Sequence, residues 1–347
     1  MHMADALLSP AVGGVMWGAT ACLLGYASSK LKASTDDSRI PLMGVLGAFI
    51  FAAQMINFSI PGTGSSGHLG GGLILAALLG PHAAFLTIAS VLAVQGLFFA
   101  DGGLLAMGCN IFNLGFFPCY LTYPLIFKPI AGSNPSRGRL MTASVIAAIA
   151  GLQLGAFGVV LETVASGISE LPFSSFVLLM QPIHLGIGLV EGVVTALLLA
   201  YLHNVRPEFF GATNPEAQAR PLRPIVVGLA LAAVIIGGAM SWFASADPDG
   251  LEWSMAKVSG KEELEAPELG VHGTLDALQK RIAFLPDYNF KPDEAPKAEV
   301  GNEDARAPEP WPNVAAGTSL SGVLGGFMTL CLAGLLGFAI RRFHARA

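Results

Sequence analysis

Charge is what this sequence has least of. Only 12% of its 347 residues are Asp, Glu, Lys or Arg, about half the usual share of a soluble domain. With 53% hydrophobic residues and apolar runs long enough to span a bilayer, that scarcity excludes a disordered chain and an ordinary soluble enzyme. Cysteine is scarce too. Cys22, Cys109, Cys119 and Cys331 lie in or beside apolar segments with no paired spacing, so neither a disulfide framework nor a Cys-x-x-Cys metal motif is present. No basic stripe suits nucleic acid. The sequence contains no Gly-x-x-x-x-Gly-Lys-Ser/Thr loop for ATP, no His-Glu-x-x-His and no Gly-x-Ser-x-Gly elbow. A chain of this kind that moves a solute uphill draws its energy from elsewhere. The start, Met1-His2-Met3-Ala4-Asp5, lacks the basic region of a cleavable signal, so Met1 is expected to stay.

What is present is apolar. Segments fall at about 10–28, 41–58, 69–80, 82–100, 104–127, 140–165, 173–203, 224–245 and 318–340, and glycine recurs inside nearly all of them, as suits closely packed membrane helices. The expected fold is an all-α integral membrane protein of about nine transmembrane helices. Gly80-Pro81 breaks the stretch 69–100 into a short helix, a turn and a second helix; one kinked helix is the alternative. Outside residues 246–316, Lys and Arg fall in four clusters: Lys30, Lys32 and Arg39; Lys128, Arg137 and Arg139; Arg206, Arg220 and Arg223; Arg341, Arg342 and Arg346. If 69–100 crosses twice and the N-terminus is outside, all four clusters are cytoplasmic. The acidic, Pro-rich block 246–316 is then an extracytoplasmic loop between the last two helices. Short helices are expected in it at 261–265 and 275–281. Its acidity either draws cations at long range or is that of a plain solvated segment.

Several polar residues sit in or beside spans, where charge is expensive. Asp101 and Glu162, near outer ends, read as solvated or capping groups. His184 and Glu191, two helical turns apart on one face, read as a buried pair or as a dock for another helix. Gln54, Asn57, Gln95, Asn110 and Asn113 carry no assigned role. His82 reads as a turn residue, and His203 and His344 as solvated.

On this topology Met1-His2 and the glycine-rich loop 59–72 share the outer side. The α-amine, the His2 amide nitrogen and the His2 imidazole can chelate one ion through fused small rings. His68, in Gly64-Ser65-Ser66-Gly67-His68-Leu69-Gly70-Gly71-Gly72, is the candidate fourth nitrogen. Four nitrogens in a plane favour Ni(II) or Cu(II) over tetrahedral zinc or oxygen-loving calcium. The blander reading is two solvated histidines. Glycines 70–72 serve either to fold the loop tightly or to pack helices.

The opening Met1-His2-Met3-Ala4-Asp5-Ala6-Leu7 resembles that of the nickel/cobalt substrate-binding membrane subunits of energy-coupling-factor (ECF) transporters, the CbiM/NikM family, whose usual start is Met-His-Ile-Pro-Asp-Gly-Phe. The likeness continues through Gly67-His68-Leu69-Gly70-Gly71-Gly72, Leu79-Gly80-Pro81, Phe99-Ala100-Asp101-Gly102-Gly103-Leu104, Asn110-Ile111-Phe112-Asn113 and His184-Leu185-Gly186-Ile187-Gly188-Leu189-Val190-Glu191-Gly192. Pro248-Asp249-Gly250-Leu251-Glu252 matches the PDGLE signature of the small companion subunit, the CbiN/NikN type. Met3-Ala4 in place of Ile-Pro and Ala6 in place of Gly are departures.

The resemblance implies a metal-binding membrane domain at 1–205, a cytoplasmic linker at 206–223 and a CbiN/NikN-like domain at 224–341, carrying the loop 246–316. It implies metal held by Met1, His2 and His68, with Asp5, Ser65 and Ser66 as supporting residues beside them. It further implies Ni(2+) or Co(2+) as transported ligand with no cofactor, nickel being favoured on geometry. Partners would be a transmembrane coupling subunit and cytoplasmic ATP-binding cassette ATPases, in the cell's inner (cytoplasmic) membrane. A stand-alone ion-coupled secondary transporter would show inverted repeats, and an intramembrane metalloenzyme would need a base beside an open metal position. Neither pattern is found.

Overall fold

The computed structural model describes residues 2–32, 39–169, 171–206, 222–262, 264–291 and 311–342. Each apolar segment contains a helix. In chain order these are α1 (Pro10–Lys32), α2 (Arg39–Gln54), α3 (Gly72–Leu79), α4 (Pro81–Phe98), α5 (Met107–Ile111), a π-helix (Phe112–Phe127) running on into α6 (Lys128–Ala131), α7 (Arg137–Ser166), α8 (Phe173–Val205), α9 (Arg223–Gly238) and α12 (Ala316–Arg342). Between the last two stand α10 (Gly250–Ser259) and α11 (Gly270–Ile282). Among the described residues, α1, α4, α7, α8 and α12 are long and apolar enough to cross a membrane, while α2 and α9 are apolar but shorter.

The stretch 69–100 is two helices. Gly80 separates them at φ 78° and ψ 164°, angles open only to glycine, and Pro81 starts α4 where its missing N–H costs nothing. The eight residues of α3 span about 12 Å, well short of a bilayer core. All eight are buried, enclosed by α2, α4, the π-helix, α7 and α8. Pro118 and Pro124 lie inside the π-helix; proline cannot supply an i→i−4 bond, and the wider winding accommodates it.

Four expectations need correction. The loop 59–72 contains a small antiparallel hairpin, β1 (Phe58–Ile60) on β2 (Ser65–Gly67), so the chain is not wholly α; strands of three residues leave no readable period. The segment 41–58 is helical only to Gln54, and 224–245 breaks after Gly238 into a short 3-10 helix at Met240–Phe243. No helix forms over the described part of 261–265, because Gly260 ends α10 in the left-handed region at φ 77°. The expected helix at 275–281 is the body of α11. Within the acidic loop, residues 292–310 lie outside the described residues, as do Arg220, Arg346 and His344.

α9 and α12 pack on each other and on α2, which sets the C-terminal pair of helices beside the N-terminal bundle. The contacts are backbone-close. A Cβ on Gly322 would stand 2.1 Å from the Gly237 carbonyl oxygen, and one on Gly325 would stand 2.0 Å from the Phe51 ring. Such small-residue crossings let dispersion forces act between whole backbones in lipid. Gly322→Val is therefore expected to cost about 1–3 kcal/mol through overpacking, read as a lowered thermal midpoint of the detergent-solubilised protein. An unchanged midpoint would show that these helices do not meet there.

Candidate metal centre

The start of the chain is threaded into the protein. Asn110 treats residue 3 as a strand partner: Met3 N–H donates to Asn110 Oδ1 at 2.8 Å, and Asn110 Nδ2 donates back to the Met3 carbonyl at 3.2 Å. Gly103 N–H donates to the same carbonyl at 2.9 Å. Met3, Leu7 and Leu8 are fully buried, anchoring the strand apolarly. Asp5 accepts from Ala106 N–H at 2.9 Å and so ties the segment to the turn before α5. Burial raises its carboxyl above the usual value despite those bonds. Gly103 must lack a side chain, since a Cβ there would sit 1.9 Å from the Asp5 carboxylate.

His68 follows β2 and is held from three sides. Glu191, from α8, accepts from Gly70 N–H at 2.7 Å with one oxygen and from Gly71 N–H at 3.1 Å with the other. Gln54 Nε2 donates to the Gly70 carbonyl at 2.9 Å, and Gln95 Nε2 donates to Gln54 Oε1 at 2.9 Å. Gly71 takes φ 77° to start α3, and a Cβ on Gly72 would strike Pro118 at 2.4 Å. The glycines thus serve both the turn and the packing. From the C-terminal domain, the Pro248 carbonyl accepts from Ser66 N–H at 2.8 Å, extending the hairpin by a parallel bridge. The Ser66 hydroxyl donates to the Asp247 carbonyl at 2.8 Å. Asp249 and Glu252 of the PDGLE sequence form the capping box of α10, and Gly250 packs against Ile183 and His184 where no Cβ fits.

These supports bring the two histidines together. The His2 and His68 rings lie 5.1 Å apart, centre to centre, and within 9° of parallel. His68 Nδ1 is 3.1 Å from the Leu69 carbonyl; the carbonyl accepts, so Nδ1 carries the hydrogen and Nε2 the lone pair. Burial, with His2 close by, pushes the His68 imidazole down to about 3, and a neutral ring is the form that ligates. His2 Nδ1 is 2.9 Å from Asp101 Oδ1, and His2 Nε2 is buried with no hydrogen-bond partner among the described residues. Burial alone would raise the Asp101 carboxyl, but the His2 ring and bonds from His2 and Tyr288 outweigh it and hold it well below the carboxylate range. Both histidines line a cavity of about 1080 Å³ that is walled on the far side by the C-terminal domain, including Asp247, Glu252 and Asp276. Among the described residues, no group of three or more His, Cys, Asp or Glu side chains is placed to hold a metal ion. Two imidazoles therefore need donors of another kind to complete a site.

Of the other expected residues, Met1 lies outside the described residues. Ser65 and Ser66 are buried and shape the hairpin, Ser65 through Thr63 at 2.8 Å. Asp101 is not a solvated group: it holds His2. Glu162 is buried and accepts from Asn113 Nδ2 at 2.8 Å. His184 and Glu191 are not paired with each other; His184 Nδ1 donates to the Met180 carbonyl at 2.8 Å while Glu191 holds the loop. His82 is inside α4, 3.1 Å from the Tyr120 hydroxyl. Sequence reasoning named Asn110 without a role. It missed Gln279, whose Nε2 donates to the Gly96 and Gly102 carbonyls at 2.8 Å each, and Tyr288, which donates to Asp101. Both lie in the acidic loop, where no motif marks them.

A family model described as the cobalt uptake substrate-specific transmembrane region, CbiM, matches residues 2–209, and a PDGLE domain model matches residues 223–342. A putative fused nickel transport protein, NikMN, of Archaeoglobus fulgidus is 29% identical over the whole of both chains. The fused nickel transport protein NikMN of Rhodobacter capsulatus is 31% identical over 83% of this chain and 88% of its own. A putative metal transport protein of Haloquadratum walsbyi is 35% identical over 60% of this chain and 92% of its own. Among solved structures, a truncated transition metal transporter superposes with a TM-score of 0.52 at 29% identity, covering 59% of this chain and 99% of its own.

Proposed function

We infer the function from one premise: the chain belongs to the CbiM family, the cobalt uptake substrate-specific transmembrane region, and carries a PDGLE domain behind it. It is a multi-pass membrane protein of nickel/cobalt transport and not an enzyme. We propose that it is the substrate-capture component of an ATP-driven importer of the energy-coupling-factor type. It binds Ni(2+), or Co(2+), at the outer face and releases it inward with a coupling subunit and ATPases in the cytoplasmic membrane. The observation that carries this reading is the pair of near-parallel imidazoles, 5.1 Å apart, at the cavity wall.

In this proposal the Met1 amine, the His2 amide and imidazole nitrogens and His68 Nε2 take the ion in a plane. Two short chelate rings fix three of the donors, and His68 arrives preset by its bond to the Leu69 carbonyl. A planar nitrogen set suits nickel better than cobalt. The two fused relatives named above, which cover 100% and 83% of this chain, are named for nickel and support the choice. We place the N-terminus outside and the C-terminus inside, with α3 completing its crossing as a short helix enclosed by protein; the basic clusters support that orientation.

The test is uptake of nickel and cobalt, side by side, by cells that express the chain with its coupling subunit and ATPases. The native protein is compared with a form bearing one additional residue before Met1. Loss of uptake in the extended form is expected, because the amine is then displaced from the chelate. Undiminished uptake of either ion would sink the amino-terminal chelate.

A further inference from the structure

The C-terminal domain reaches the metal centre itself. Tyr288, in the turn Pro286–Tyr288 after α11, donates its hydroxyl hydrogen to Asp101 Oδ2. The other carboxylate oxygen of Asp101 is the one 2.9 Å from His2 Nδ1. We propose that Asp101 and Tyr288 are positioning residues of the metal centre: Asp101 orients the His2 imidazole, and Tyr288 fixes Asp101. This rests on the reading of His2 and His68 as metal ligands.

The phenol is firmly placed. Its ring stacks on Phe99 at 5.1 Å and 16°, Asp287 N–H donates to the Phe99 carbonyl at 2.9 Å, and Gln279 pins the adjoining turn through the Gly96 and Gly102 carbonyls. Backbone strain gathers at the same place. Among the described residues four non-glycine positions take positive φ, and three of them flank this contact: Ala100 at 57°, Asp287 at 51° and Tyr288 at 57°. Side chains seldom adopt that region without compensating contacts, and here the residues on both sides of one hydrogen bond do so.

The same carboxylate serves His2 when Nδ1 goes to the ion. The nitrogen that closes a six-membered ring with the His2 amide is Nδ1, which in this arrangement faces Asp101. A half-turn about Cβ–Cγ exchanges Nδ1 with Cδ2 and Nε2 with Cε1. Nδ1 then leaves the edge facing Asp101, and Nε2 moves next to it. An imidazole that gives one nitrogen to an ion carries its hydrogen on the other, and a carboxylate accepting that hydrogen fixes the ring angle and raises the basicity of the donor. With Nδ1 given to the ion, Asp101 therefore accepts from Nε2–H.

The experiment uses the purified full chain and titrates nickel against a chromophoric chelator, with the visible band of bound nickel recorded alongside. Asp101→Ala is expected to weaken nickel binding about 10–100-fold, the usual cost of losing such a partner, and Tyr288→Phe about tenfold. Asp101→Asn, which keeps an acceptor, should lie between native and Asp101→Ala, and the nickel band should shift in all three. Because Tyr288 acts through Asp101, the double variant Asp101→Ala/Tyr288→Phe should bind no more weakly than Asp101→Ala alone. Native affinity and an unshifted band in Tyr288→Phe and Asp101→Asn would overturn the inference, as would additive losses in the double variant. His68→Ala in the same titration separates the two levels: native affinity there removes the metal-centre reading and this inference with it. Lost affinity there with native binding in the Asp101 and Tyr288 variants removes only the inference.

Discussion

Alanine in place of His68 is expected to lower nickel affinity by more than about 100-fold. Losing a residue that only supports a metal-bound histidine commonly costs 10–100-fold, and His68 is proposed as a ligand itself. The variant should fold. The loop that carries His68 is held by its neighbours: Glu191 on Gly70 and Gly71, Gln54 on the Gly70 carbonyl, and Pro248 on Ser66. The imidazole itself reaches the adjoining backbone, with Nδ1 3.1 Å from the Leu69 carbonyl. Chelator competition on the purified protein measures the loss, and a thermal midpoint near the native one separates a missing ligand from a collapsed site. Native affinity in this variant would contradict the assignment of His68.

Glu191→Ala acts on the same loop through stability. Its two carboxylate oxygens satisfy two backbone N–H groups deep between α3 and α8, and alanine leaves both without an acceptor. Each buried, unsatisfied donor costs about 1–3 kcal/mol, so the expected destabilisation is about 2–6 kcal/mol. It should appear as a large drop in the thermal midpoint in detergent, with faster proteolysis near residues 61–64, the hairpin turn. Glu191→Gln keeps one carbonyl oxygen and should lose roughly half as much. Nickel binding should weaken in parallel, because His68 sits two residues before the first of these N–H groups. Native stability in Glu191→Ala would show that the two bonds are absent.

The C-terminal domain acquires a role from these contacts. Ser66 joins it to the hairpin of His68, and Tyr288 joins it to the carboxylate that holds His2. Its Asp247, Glu252 and Asp276 line the cavity shared with both histidines. In two companion subunits the same contacts would have to form between separate chains; here one chain carries both halves.

Low charge, nine apolar segments, the break at Gly80-Pro81 and the opening Met1-His2 are all local or compositional, and they were enough for the membrane class, the helices and the family. They act within a few residues or through bulk hydropathy, so a linear pattern records them. The hairpin at 58–67, the π-helix and the capped α10 escaped, because three-residue strands, a winding set by Pro118 and Pro124 and a capping box inside a known signature carry no period. Asp101 read as a solvated or capping end group since nothing near it in sequence is its partner; Tyr288 stands 187 residues away. Glu191 read as one of a helical pair because His184 shares its face, whereas its partners are backbone N–H groups of another segment. Packing alone decided which buried polar groups met, for a buried carboxylate or amide goes to whichever donor the folded chain delivers, and that choice is made by helix contacts between residues a hundred or more positions apart.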